Sequence, residues 1–266
     1  MRSLSIAATG MNAQQTNIDV IANNIANINT TAYKRSRAEF ADLIYVADRA
    51  KGVPDLLNQA TVPEGAMVGM GVRTAAIRKV NLQGSFSQTG NQLDIAIAGR
   101  GYFEVQDPAG NVFYTRSGSF NLNENGDLVT LDGYQVQPPI NIPADRSKDG
   151  LIAIGQDGTI SYKTDDNPPQ VVRAGQLTLV NFVNEAGLDP AGSNLYRETQ
   201  ASGTPAVGLP MWDNYGHIMQ GYLEASNVDP VKEITELIAA QRAYEMNSKV
   251  IQASDEMAAV VSKNLR

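Results

Sequence analysis

The sequence predicts an α+β fold in which long N- and C-terminal helices pair as a coiled coil and flank an all-β central domain with an extended projecting loop. Three observations predict it. Apolar residues recur near every 3.5 positions at both ends, turn signals divide the middle into short alternating segments, and residues 47–72 show no sustained period. The expected boundaries are 1–35 for the N-terminal helix, 36–71 for a linker or projecting segment, 72–222 for the β-rich outer domain and 223–266 for the C-terminal helix.

The N-terminal seam reads Leu4, Met11, Ile18, Ile21, Ile25 and Ile28, spaced by seven and then by three and four. Taken alone this helix is weak. Asn12, Thr16, Asn17, Asn23, Asn24, Asn27 and Asn29 each cost up to about 0.7 kcal/mol relative to alanine, so order is expected only where something packs on the segment. Gln14, Gln15, Asn23, Asn24 and Asn27 carry paired donors and acceptors that neighbouring helices can satisfy. Lys34, Arg35 and Arg37 follow, and read as a solvated helix end where cations suit the dipole.

The next stretch holds Lys51-Gly-Val-Pro54, Val62-Pro-Glu-Gly65 and Gly69-Met-Gly71. It is too long for an ordinary connection, so it is read as either disordered or a functional projecting loop. Leu56, Leu57, Val62 and Met67 are its candidate apolar anchors, and Pro54 and Pro63 restrict its backbone.

The centre is punctuated by Asp107-Pro-Ala-Gly110, Asn125-Gly126, Asp132-Gly133 and Asp157-Gly158, each between short alternating runs. Asn-Gly and Asp-Gly are strong hairpin signals because both turn residues adopt positive φ. Strands are predicted at 101–106, 111–116, 119–123, 128–131, 134–137, 151–154, 159–162 and 177–182, as a sandwich or irregular antiparallel barrel. Residues 201–213 read as a second loop, leading past Trp212, the only tryptophan.

The C-terminal helix opens on Asp229-Pro230, an N-cap followed by proline at the first helical position. Its seam reads Ile234, Leu237 or Ile238, Tyr244, Ile251, Ala258, Val261 and Leu265. A helix from Pro230 to Leu265 spans about 50 Å.

Composition narrows the function classes. Net charge is −7, from 21 Lys and Arg against 28 Asp and Glu, which disfavours nucleic acid. With no cysteine there is no disulfide, thiol chemistry or thiolate-bound metal. No run of about 18 apolar residues marks a membrane span, and the first fifteen residues lack the pattern of a cleaved secretory signal. A single histidine, His217, rules out a histidine-pair metal site, and no G-x-S-x-G elbow accompanies it. Asp165-Asp166 reads as a solvated pair. No catalytic, cofactor or metal site is expected. A structural polymer is favoured over a β-rich enzyme or binding module with helical oligomerisation arms.

The motifs then carry a resemblance. Ala22-Asn-Asn-Ile-Ala-Asn-Ile-Asn-Thr-Thr-Ala-Tyr-Lys34 resembles the N-terminal signature of bacterial flagellar rod and hook proteins. Gln220-Gly-Tyr-Leu-Glu-Ala-Ser-Asn-Val-Asp-Pro230, running into Gln241-Arg-Ala-Tyr-Glu245, resembles their C-terminal signature. Gly118-Ser-Phe120 through Asp132-Gly-Tyr-Gln-Val-Gln-Pro138 is also similar to this family. Length and the segment after Tyr45 are most similar to the distal-rod branch, with proximal rod and hook proteins as near alternatives.

The resemblance implies a helical homopolymer that transmits torque, lies axially between other rod proteins and the hook protein, and turns inside the P-ring and L-ring proteins. It implies export by the flagellar type III apparatus without a cleaved signal, and a place in the basal body across the periplasm to the outer membrane. Phe40 and Ile44 resemble an export-gate motif; they also read as a short amphipathic segment that anchors the helix to the β domain. The segment with Pro54, Leu56, Leu57, Val62 and Pro63 resembles the insertion that separates a straight rod from a bendable hook.

Overall fold

The computed structural model describes residues 2–49, 65–143, 152–164 and 170–264, which form two compact units. The chain crosses between them four times, at 26/27, 35/36, 79/80 and 228/229.

The helical unit contains α1 (Arg2–Ala26), the strands β1 (Ser36–Asp42), β2 (Tyr45–Arg49), β3 (Ala66–Gly69) and β4 (Val72–Lys79), and α2 (Pro230–Asn264). Asp229 caps α2: its Oδ1 accepts from the Val231 and Lys232 amides at 3.0 and 3.3 Å. Strand β1 pairs antiparallel with β4 and β2 with β3. Leu43 N–H to Gly71 O and Met70 N–H to Ile44 O join the two ladders into one ribbon. It opens the stretch that the sequence marks as a projection, whose apolar residues and prolines from Pro54 to Pro63 lie outside the described residues. At the ribbon's turn toward α1, Gly71 has φ +118°, and a Cβ there would strike Thr9. Thr9 Oγ1 accepts from the Val72 amide and donates to Ile6 O, which fastens the ribbon to α1.

The helices pack together, but not through the expected coiled-coil seam. Ile234 and Ile238 are 50% and 46% exposed, and Tyr244 also faces solvent. The positions that α2 buries deepest are Glu233 and Ala240, and those of α1 are Ala7, Ala13, Val20, Ile21 and Asn24. A Cβ on Gly10 would lie 2.9 Å from the Asn247 amide nitrogen, so the helices approach closely there. Small and amide residues set this contact, because a face of alanine, glycine and asparagine allows closer approach than branched knobs in holes.

The β-rich unit comprises residues 27–35 and 80–228. Its first strands are β5 (Phe86–Gln88), β6 (Ile95–Ala98), β7 (Phe103–Gln106), β8 (Val112–Thr115), β9 (Phe120–Leu122), β10 (Leu128–Thr130), β11 (Gln135–Gln137) and β12 (Ile152–Ile154). Then come β13 (Thr159–Lys163), β14 (Val171–Gln176), β15 (Leu179–Asn181), β16 (Asp189–Gly192), β17 (Leu195–Arg197), β18 (Ala206–Gly208), β19 (His217–Gln220) and β20 (Tyr222–Glu224). All pairings are antiparallel. The largest sheet runs β16-β17-β8-β7-β11-β10-β9, beside β12-β13-β14 and the pairs β15-β18, β19-β6 and β20-β5.

The predicted turns close these ladders, but with only the glycine of each Asn-Gly or Asp-Gly pair at positive φ, not both residues. Gly126, Gly133 and Gly158 all take positive φ, between 80° and 85°, where β9–β10, β10–β11 and β12–β13 reverse. The stretch 201–213, expected as loop, contains β18, which pairs with β15.

Alternation builds the core. Val105 sits between Phe113 and Val136 across the ladder, while Phe103 meets Phe120 edge-on at 5.2 Å. A second cluster gathers Tyr102, Tyr114, Phe182 and Tyr196, with Tyr114 edge-on to Phe182 at 4.8 Å. Strand β8 therefore buries neighbouring residues to opposite sides, Phe113 into one cluster and Tyr114 into the other. Truncating Phe103 to alanine is expected to cost about 3–5 kcal/mol, read from urea denaturation. A loss below about 1 kcal/mol would contradict this packing.

Candidate functional site

Two polar constellations tie together segments far apart in sequence, one in each unit. In the β-rich unit the Glu224 carboxylate is 1% exposed and lies between two cations. Its Oε1 accepts from Lys34 Nζ and, at 3.0 Å, from the Gly84 amide; its Oε2 accepts from Arg116 Nε at 3.0 Å. The cations are themselves satisfied. Lys34 Nζ also donates to Leu82 O at 2.9 Å, and Arg116 donates to the carbonyls of Gly101, Gly99 and Ile97. Its guanidinium lies 5.8 Å from the centre of the Tyr102 ring.

Lys34 is thus a buried partner, not the solvated helix-end cation that its neighbours Arg35 and Arg37 suggest. Around it the backbone of 27–35 is knitted into the unit. Ala32, at φ 57°, donates its amide to Glu224 O, and Asn194 Nδ2 donates to Thr31 O. Asn227 accepts from the Arg35 amide and donates to the carbonyls of Val80 and Leu82.

Burial alone would push the Glu224 carboxyl up; the Arg116 guanidinium, then the Lys34 ammonium, hold it below the usual carboxylate range. Burial, followed by repulsion from Arg116, lowers Lys34 despite its carboxylate partner. Burial pushes the Tyr102 phenol up, and that of Tyr196 up to about 12.

In the helical unit Asn24 is fully buried and behaves like a strand neighbour. Its Oδ1 accepts from the Ser36 amide and its Nδ2 donates to Ser36 O, each at 2.8 Å. The same Nδ2 donates to Glu233 on α2 at 3.0 Å. Glu233 is buried as well.

Of the predicted packing residues, Ile21 is buried, and Leu4, Met11, Ile18, Ile25, Ile28, Leu237 and Ile251 are half-buried. Ile234, Ile238 and Tyr244 face solvent, whereas the side chains of Val261 and Leu265 lie outside the described residues. Phe40 and Ile44 are exposed along the ribbon. Pro54, Leu56, Leu57, Val62, Pro63 and the Asp165-Asp166 pair also lie outside the described residues. His217 is exposed on β19, and among the described residues no group of three or more metal-ligating side chains assembles. Sequence reasoning singled out Asn24 for contact with a neighbouring helix but missed Lys34, Arg116, Glu224 and Asn227 as a set. The available signal was that Lys34, Glu224 and Asn227 fall in blocks that carry the family resemblance, with Arg116 two residues before the central one.

Family models match three stretches: Flagella basal body rod protein at residues 4–34, Flagellar hook protein FlgE/F/G D1 domain at 96–162, and Flagellar basal body rod FlgEFG protein C-terminal at 219–264. A flagellar basal-body rod protein FlgG of Agrobacterium fabrum is 57% identical over 266 residues, covering 100% of both chains. That of Caulobacter vibrioides is 47% identical over 264 residues, 99% of each chain. The Caulobacter vibrioides rod protein FlgF is 35% identical over 255 residues, 93% of this chain and 92% of its own.

Replacing Glu224 with glutamine strands two buried cations and is expected to cost about 3–5 kcal/mol in a denaturation experiment. The folded pKa of this carboxyl lies below its unfolded value. Its stabilisation is therefore present above the unfolded carboxylate pKa of about 4.3 and lost as pH falls through the folded value. The acid limb of a stability–pH curve should flatten in E224Q; an unchanged limb would contradict the assignment.

Proposed function

This chain belongs to the FlgG family of flagellar basal-body rod proteins, and from that premise we propose that its copies build the distal rod as a helical tube. It is a structural rod subunit of the flagellar basal body. In this reading the helical units form the inner layer of the tube, the β-rich units form the outer layer, and the assembly carries torque rather than catalysing a reaction. The rod joins other rod proteins and the hook protein axially and turns inside the P-ring and L-ring proteins. The chain reaches that position through the flagellar type III apparatus, with Phe40 and Ile44 read by the export gate, and resides across the periplasm.

One observation carries the polymer reading. Helix α2 has a second apolar side left exposed among the described residues: Val231, Ile234 and Ile238 on its first turns, then Met246, Met257 and Val260. A solvated helix of a monomer normally keeps that side polar. Covering each such side chain is worth about 1.5–3 kcal/mol, enough when summed over neighbours to drive assembly.

Torque needs a subunit that does not come apart under load. Four chain crossings join the units, and each unit ties its own ends, through Asn24, Ser36 and Glu233 in one and Lys34, Glu224 and Asn227 in the other. Leu4, Met11, Ile18, Ile21, Ile25, Leu237, Tyr244 and Ile251 complete the inner-layer contacts, within and between subunits.

Changing Ile238 to aspartate should leave the circular dichroism spectrum and melting of the monomer unchanged, because the side chain is exposed, while tubes disappear from electron micrographs. Tubes of normal number would refute the reading. The segment Ala47–Ala66 is the proposed stiffener, bridging adjacent subunits and resisting the sliding that bending requires. Its deletion should still permit tubes but make them curved or flexible; straight tubes of unchanged bending stiffness would exclude that role.

A further inference from the structure

The helical unit carries an apolar groove of about 480 Å³, walled by Ser3, Ile6, Ala7 and Gly10 of α1, Gly71 and Val72 of the ribbon, and Asn247 and Val250 of α2. Two glycines open it. Gly10 and Gly71 leave no side chain on the floor, and at both positions a Cβ would collide with a neighbour. We propose that this groove seats the first turns of α2 from a second copy of the chain, with Val231, Ile234 and Ile238 as the inserted anchors. The proposal rests on the polymer reading above and names the contact that propagates it.

Three properties make a second copy the fitting occupant. Spacing comes first: Val231, Ile234 and Ile238 fall at i, i+3 and i+7, the spacing with which an amphipathic helix fills an apolar groove. They are also exposed, Val231 at 73%, so insertion covers surface that the single chain leaves in water. Second is charge. The helical unit holds twelve Lys and Arg against twelve Asp and Glu, so the whole net charge of −7 falls on the β-rich unit. Helical units of two copies can approach without net repulsion, and no charged residue lines the groove.

Third is geometry. The anchors and the groove are different patches, so the contact is heterologous and does not close on itself as a two-fold dimer; repeated with a displacement along the helix, so that no ring closes, it generates an open helical array. Helix α2 carries the anchor Ile234 and the groove-wall residue Val250, sixteen positions apart. If successive α2 helices run parallel, each contact therefore displaces the next copy by about 24 Å along the helix.

The chain has no cysteine, which allows a clean test. Protein bearing Ile234→Cys is mixed with protein bearing Val250→Cys under polymerising conditions, treated with a mild oxidant, and analysed by non-reducing electrophoresis. The mixture should give cross-linked dimers, a chain bearing both substitutions should give a ladder of higher multimers, and either single variant alone should give neither. As a second measurement, Ser3→Trp fills the groove from its exposed rim and should raise the critical concentration for polymer at least about tenfold, with the monomer's melting unchanged. Tubes that form normally without the mixed cross-link, or single variants that cross-link as well as the mixture, would overturn the contact while leaving the polymer reading intact. Unmodified protein that forms neither tubes nor oligomers would overturn both.

Discussion

Glu224 occupies the point on which the β-rich unit depends. Its carboxylate holds Lys34 from the N-terminal signature, Arg116 from just before the central block and the Gly84 amide, while its own backbone carbonyl takes the Ala32 amide. Two buried cations without this anion would face an uncompensated desolvation cost of several kcal/mol each. A buried ion pair is no better for stability than well-packed apolar groups of the same volume. What it adds is selectivity over which chain segments meet: only the register that brings Lys34, Arg116 and Glu224 together satisfies all three. Residues 27–35 thus belong structurally to a unit whose other residues begin 45 positions later, at Val80.

The helical unit solves the same problem with a neutral group. Asn24 offers one acceptor and two donors, and uses them to imitate a neighbouring strand for Ser36 while reaching Glu233 on the other helix. Close approach of the helices at Gly10 and Asn247 needs small side chains in the contact. That choice has a consequence for assembly. Branched residues such as Ile234 and Ile238 are excluded from the intramolecular contact and left on the outside, where they are free for other copies.

Charge follows the same division. Every unit of net charge sits on the β-rich unit, while the helical unit is balanced. In the tube proposed above, subunits would pack most densely near the axis, where like charges on neighbouring copies are costly and poorly screened; neutrality is suited to such an inner layer and acidity to a solvated outer one.

Turn chemistry and alternation determined most of the β-rich unit from the sequence alone. The glycines of Asn125-Gly126, Asp132-Gly133 and Asp157-Gly158 take positive φ, and the flanking period-two runs leave little choice of face. The two terminal helices and the Asp229 cap were legible for the same reason: these are local interactions, encoded within a few residues. How the helices meet was decided only in three dimensions. A heptad-like spacing shows that apolar residues share a side of a helix, but not whether that side turns to its own chain or to a neighbour. In α2 the side that turned inward carries Glu233, Ala240 and Asn247, whose value lies in partners 209 residues or more away in the chain or in close backbone approach. Lys34 is the same case. The cations beside it in sequence are the half-buried Arg35 and the exposed Arg37, and only the fold places a carboxylate 190 residues distant against Lys34, because burial and pairing are properties of what packs around a side chain rather than of the chain beside it.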